Sequence, residues 1–225
     1  MGLSPPGVLS PCSVLTLANQ PMAMPLARVQ TVMALKKVLI LNDKWLARVL
    51  GPRCAEDTAV FRECAKRLRG TEEYRVLGRF LDENPENRVI YLGDDGILAR
   101  VFGDRVLDLY GSRTRLRCRK CGHRWWIDQG QQCPHCSSTS YEPDYTPPGE
   151  RPPQKKILEA LYEVTSSDEA YFVEPRNPPE LIELLLLIIA LKFTDKVTVI
   201  GEPLSHLRNL VRIENSLTSI LENNE

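Results

Sequence analysis

The chain has 225 residues, 43% hydrophobic and 26% charged, a mixture that excludes a disordered, collagen-like or disulfide-dense chain. Its 29 basic and 29 acidic residues give a formal net charge of +0, so no global field gathers it onto nucleic acid or an anionic membrane. Any such binding must come from a local patch.

Residues 1–32 carry no charge before Arg28 and are punctuated by Pro5, Pro6, Pro11, Pro21 and Pro25. They lack the basic start and unbroken apolar core of a secretory signal, and read as a disordered tail or as residues upstream of a genuine start near Met33. Val38 to Leu41 is a short apolar run of buried-strand type. Thr58 to Arg69 and Glu73 to Glu83 have helical apolar spacing. Arg88 to Leu92 is a strand closed by Gly93-Asp94-Asp95-Gly96, and Val106 to Leu109 is another. Gln154 to Val164 reads as a helix, Ala170 to Val173 as a buried strand, and Pro179 to Phe193 as a long helix whose prolines suit its first turn. Its run from Leu184 to Leu191 is too short for the roughly 18 apolar residues that cross a bilayer, so no membrane partner is expected. Val197 to Gly201 is a further strand and Ser216 to Glu222 a last short helix. Strands alternating with helices predict an α/β protein with a Rossmann-like parallel sheet covered on both faces.

Seven cysteines fall unevenly: Cys118, Cys121, Cys133 and Cys136 form two CxxC pairs, while Cys12, Cys54 and Cys64 are scattered. An odd total with two tight pairs points to metal binding in a reducing, cytoplasmic setting rather than a disulfide framework. Each CxxC lets two thiolates from one tight turn reach the same ion, and Gly122 and Pro134 fit such turns. Four cysteines make a closed tetrahedral shell for structural zinc, with no open position for catalysis. His123 and His135 could replace a cysteine, although places beside the site suit them better. The expected organisation is a zinc ribbon insert over 116–139, within a Rossmann-like domain built from 33–115 and 140–225.

Outward from the ribbon, the chain resembles the sirtuins, the NAD-dependent protein deacylases. Val106-Leu107-Asp108-Leu109-Tyr110-Gly111-Ser112, running into Arg117-Cys118-Arg119-Lys120-Cys121-Gly122, resembles the family's strand, His-Gly-Ser step and first zinc knuckle. Val89 to Ile97 sits where the family has Thr-Gln-Asn-x-Asp-Gly-Leu. Pro143-Asp144 and Gly149-Glu150 follow the second knuckle as in the family's Arg-Pro-Asp…Phe-Gly-Glu, and Val199 to Pro203 resembles the late strand ending in a ribose-contacting loop. The match in order and spacing covers about Arg88 to Leu221.

That resemblance implies several departures from the family's chemistry. The family's Gly-Ala-Gly-x-Ser turn lets backbone N–H groups approach the pyrophosphate, whereas the first strand here runs into Asn42-Asp43-Lys44-Trp45. The family's Gln-Asn pair corresponds to Leu92-Gly93; only Asp95 and Gly96 persist, as vestigial cofactor contacts. The Gly-Thr-Ser step corresponds to Glu174-Pro175-Arg176, and Phe61-Arg62 is at most a relic of the cofactor loop. Tyr110 stands at the catalytic histidine position. The family's base must work near neutral pH, whereas an unperturbed tyrosine has a pKa of about 10. Losing a general base costs roughly 10²- to 10⁴-fold in rate. The resemblance therefore implies a protein without catalytic residues, NAD absent as a cofactor and the ancestral cleft closed or repurposed; an atypical NAD-dependent deacylase is the alternative.

Arg113, Arg115, Arg117, Arg119, Lys120 and Arg124 lead into Trp125-Trp126. Alternation puts the first four arginines on one strand face, where they could hold phosphates, while an exposed tryptophan could stack on a base or anchor a protein. A solvated ribbon surface with packed tryptophans is the plainer reading. The expected partners are accordingly a protein or a nucleic acid, with a zinc-ribbon nucleic-acid binder as a further alternative.

Overall fold

The computed structural model describes residues 35–147, 150–201, 211–214 and 216–218. The expectation for residues 1–32 lies outside this set. Six parallel strands are β1 (Lys37–Leu41), β2 (Arg88–Tyr91), β3 (Val106–Asp108), β7 (Glu169–Val173), β8 (Lys196–Ile200) and β9 (Arg212–Glu214). They are ordered β3-β2-β1-β7-β8-β9, so the strand order reverses between β1 and β7. All five residues of β1 are buried: Leu39 and Leu41 pack into one core, Val38 and Ile40 into the other. That two-sided burial is why the strand reads as an unbroken apolar run.

The first core is covered by α1 (Asp43–Leu50), α2 (Pro52–Glu56), α3 (Phe61–Leu68), α4 (Glu72–Glu83) and α5 (Ile97–Phe102). The second is covered by α6 (Gln154–Thr165) and α7 (Leu181–Phe193). Three further strands, β4 (Gly111–Cys118), β5 (Arg124–Trp126) and β6 (Tyr141–Tyr145), form a separate antiparallel sheet ordered β5-β4-β6.

Sequence and structure differ at several points. No element was expected directly after β1, where the structure has α1: the Asn42 side chain accepts from Trp45 N–H and caps the helix. Cys54 and Cys64, read above as scattered thiols, form a disulfide. The bend between α2 and α3 brings their Cα atoms within 5.7 Å, inside the range such a bond needs. β9 was not expected: three residues of Arg-Ile-Glu on an edge carry no apolar run. Residues 216–218 form a turn where a helix was expected, and the rest of that segment lies outside the described residues.

Candidate functional site

The four paired cysteines converge. Their sulfur atoms all lie within 4.8 Å of one another, with Cys118 to Cys136 and Cys121 to Cys133 each 3.6 Å apart. A tetrahedral ion with bonds of about 2.3 Å needs sulfur atoms roughly 3.8 Å apart, so the donor set is sized for zinc. Gly122 turns the first knuckle at φ +74°, in the left-handed region. Trp125 is buried against Cys118 and Cys133 and donates its indole N–H to the Gly130 carbonyl at 2.8 Å. His123 stacks between Trp125 and His135 and supplies no ligand to the cluster.

The ribbon is seated on the body through the β2–α5 loop. Gly96 adopts φ +76°, and a Cβ there would lie 2.0 Å from Ser112 Oγ and 2.9 Å from the Trp126 ring. Trp126 stacks on Phe61 with ring centroids 5.6 Å apart, and the Arg115 guanidinium lies 5.7 Å from its ring. The Thr114 hydroxyl donates to the Asp95 carbonyl at 2.7 Å, and Ser112 does so at 3.2 Å. The Asp95 carboxylate accepts from Ile97 N–H at 2.8 Å and from the Tyr91 hydroxyl. Asp95 and Gly96 thus hold the loop and seat the ribbon. We expect Gly96→Ala to cost about 3 kcal/mol, since both the backbone and the packing forbid a side chain; a denaturant titration showing under a third of that would refute this account.

Every arginine of the stripe is ion-paired, with two positive charges left in excess. Arg113 pairs with Asp94 at 3.0 Å, Arg115 and Arg124 share Asp144 at 3.0 Å each, and Arg117 and Arg119 share Glu142. These acids come from β6 and from the β2–α5 loop. Five guanidinium groups therefore meet three carboxylates, and Trp125 is only 3% exposed.

A cleft of about 780 Å³ opens at the C-terminal ends of the strands, where the strand order reverses. Open parallel sheets bind ligands at that place. The cleft is therefore not closed. Leu92, Pro152, Ile157, Leu181, Ile182 and Leu185 supply its apolar wall, Asp43, Asp94, Glu150 and Glu180 its acids, and Arg151 and Arg176 its bases. Tyr110 lines it, half-buried. Burial pushes the phenol above its ordinary pKa, Arg176 pulls it down and Glu183 pushes it up.

The end of β1 is closely filled. The Asn42 amide donates to the Glu174 carbonyl at 2.8 Å, and the Asp43 carboxylate pairs with Arg176, which also pairs with Glu180. Arg176 N–H and the Asn42 amide both donate to the buried Glu183 carboxylate, whose pKa burial raises. Glu174 has φ +50°, the left-handed region that favours glycine. Its carboxylate takes the Arg48 guanidinium at 2.5 Å, beside a second cavity of about 360 Å³ that Glu72 and Glu73 also line. Sequence reasoning missed the Asp43–Arg176 pair and the buried Glu183, because both depend on β1 and β7 being neighbours.

No family model and no curated protein sequence matches the chain. Solved structures do. A Sir2 bound to an acetylated peptide is similar at a TM-score of 0.56 and 14% identity, over 84% of this chain and 93% of that one. A Sir2–p53 peptide–NAD+ complex gives 0.54 and 16%, over 84% and 93%. A Sir2 enzyme from work on mechanism and regulation gives 0.53 and 19%, over 84% and 90%. No helix among the described residues is long and apolar enough to cross a membrane. At these identities the likeness is one of architecture: the chain has a sirtuin-like fold, with a four-cysteine cluster positioned to form a zinc site.

Proposed function

We propose that this protein is a zinc-binding, non-catalytic member of the sirtuin-like folds that works by holding a segment of another protein in its cleft. The observation that carries the reading is the Asp43–Arg176–Glu180 cluster at the end of β1. In the family's arrangement, free backbone N–H groups there meet a pyrophosphate. In this chain Asn42 caps the helix start and a carboxylate stands in its first turn, which repels phosphate. The cleft carries four acids against two bases, and with Arg113 paired to Asp94 one net negative charge still faces an anionic dinucleotide. An apolar segment bearing a basic side chain matches both the wall and the acids. The Sir2 structures above hold peptides in their own complexes, which supports a protein ligand.

Tyr110 supports the non-catalytic part, because a phenol whose pKa burial raises is still less ionised near pH 7 and so less available as a base. The nucleic-acid reading of the ribbon loses support from the pairing of its arginines. Titration calorimetry and a nicotinamide-release assay test the proposal together. We expect no NAD binding below about 1 mM, no release from acylated peptides, and binding of apolar peptides carrying one lysine but not of their acidic counterparts. A micromolar dissociation constant for NAD, or nicotinamide release lost in Tyr110→Phe, overturns it.

A further inference from the structure

Nine large apolar side chains are exposed among the described residues, and six of them lie on α6 and α7. Leu158 and Tyr162 lie one turn apart on α6, exposed by 57% and 66%. Leu181, Leu184, Leu185 and Ile188 make a stripe along α7, with Leu181 at 85%. The two helices pack side by side on the same face of the sheet, with Ile157, Ala160, Ile182 and Leu186 turned inward. Their outer faces therefore make one surface.

α7 has its polarity reversed. Its one acid, Glu183, is 3% exposed and bonded to Asn42 and Arg176, while its outer stripe carries no charge before Lys192. A helix apolar all round belongs in an interior. We propose that the α6–α7 face is a homotypic contact, a four-helix interface between two copies of this chain about a two-fold axis.

Charge favours a second copy over another partner. The patch is edged on α6 by two ion pairs, Lys155 with Glu159 at 3.8 Å beside Leu158, and Lys36 with Glu163 at 2.9 Å beside Tyr162. When two copies meet with α6 antiparallel, Lys155 of each lies near Glu159 of the other, as a self-complementary interface requires. A strongly acidic or basic partner finds no such match. Size agrees. Helices of 12 and 13 residues present a plate about 20 Å long, and at 8–10 Å between axes it is roughly 20 Å wide. With its rim, such a plate doubled across a two-fold reaches about 1,000 Å², the lower edge of specific interfaces, so a reversible dimer is expected. Leu181 and Leu185 belong to both surfaces, so a dimer would cover part of the cleft wall, whereas Leu158, Tyr162 and Ile188 lie outside it.

Sedimentation velocity of the full-length, zinc-loaded protein from ~1 to ~200 μM tests it. The expected result is a reversible monomer–dimer shift within that range. Ile188→Glu should weaken dimerisation at least tenfold, and Lys155→Glu about threefold, while Lys155→Glu combined with Glu159→Lys should restore it. These positions are exposed, and circular dichroism checks that each variant is folded. A wild type that stays monomeric throughout overturns the proposal, whatever else lies on the face. So does a dimer equally strong in Ile188→Glu and Lys155→Glu.

Discussion

Replacing Cys133 with serine should empty the zinc site and unfold the ribbon while leaving the parallel sheet folded. Cys133 is 1% exposed and its sulfur is 3.6 Å from that of Cys121, so its loss removes one of the four converging thiolates from inside the ribbon. In small zinc modules the metal contributes about 10–16 kcal/mol to folding. The ribbon's own core is only Leu116, Cys118, Trp125 and Cys133 with a few half-buried neighbours, too small to stand without it. The two body cores share almost none of these residues. Zinc per chain should fall from one to near zero, and amide protection should vanish across β4, β5 and β6 but persist in β1, β2, β7 and β8. The loss should also reach the cleft. Ser112 and Thr114 bond the Asp95 carbonyl, Arg113 pairs with Asp94, and Thr146 N–H donates to the Tyr110 carbonyl at 2.7 Å. A variant that keeps stoichiometric zinc and full ribbon protection would show that the cluster is not the ribbon's metal site.

Much of this architecture was legible because burial on both sides of a parallel sheet leaves apolar runs in the sequence. β1, β2, β7 and β8 all announce themselves that way, α3 and α4 by helical spacing, and α7 by a long apolar run opened by prolines. The cysteine pairs were legible because ligand chemistry fixes their spacing. Short elements were not. α5 has six residues between Gly96 and Gly103, and α2 has five begun by Pro52. The capping signal of Asn42 was present in the sequence, but the absence of a glycine turn drew the reading instead. What the sequence could not show was pairing at a distance. The register sets Arg117 opposite Glu142 across β4 and β6, which converts a basic stripe into an ion-pair network. Cys54 and Cys64 likewise become partners only when α2 and α3 fold against each other.

The same pairing of β2 and β3 sets Asp108 beside Tyr91 and produces a pH dependence unlike that of most proteins. Asp108 is 3% exposed, and neither of its carboxylate oxygens accepts a hydrogen bond from the described residues. Burial raises its pKa from 3.8 to about 7, with Asp95 adding to the rise and Lys156 and Arg115 opposing it. Lys156 reaches the same place from α6 but donates to the Asp108 backbone carbonyl. Asp95 is raised to about 6, again by burial, against the bonds from Tyr91 and Ile97 that lower it. Both carboxyls hold a proton more tightly folded than unfolded. Their contribution is therefore complete below pH 4 and is withdrawn as pH rises through 6 and 7. At about 1.4 kcal/mol per unit, the two together withdraw roughly 4 kcal/mol between pH 5 and pH 8, more than half of it from Asp108. Zinc loss in acid acts in the opposite direction, so the informative quantity is the difference between wild type and Asp108→Asn. Urea titrations should find the stability of the variant relative to wild type rising by roughly 2–3 kcal/mol from pH 5 to pH 8, because asparagine does not ionise. A difference that is the same at both pH values would mean that Asp108 titrates normally, and that water or a counter-charge reaches it.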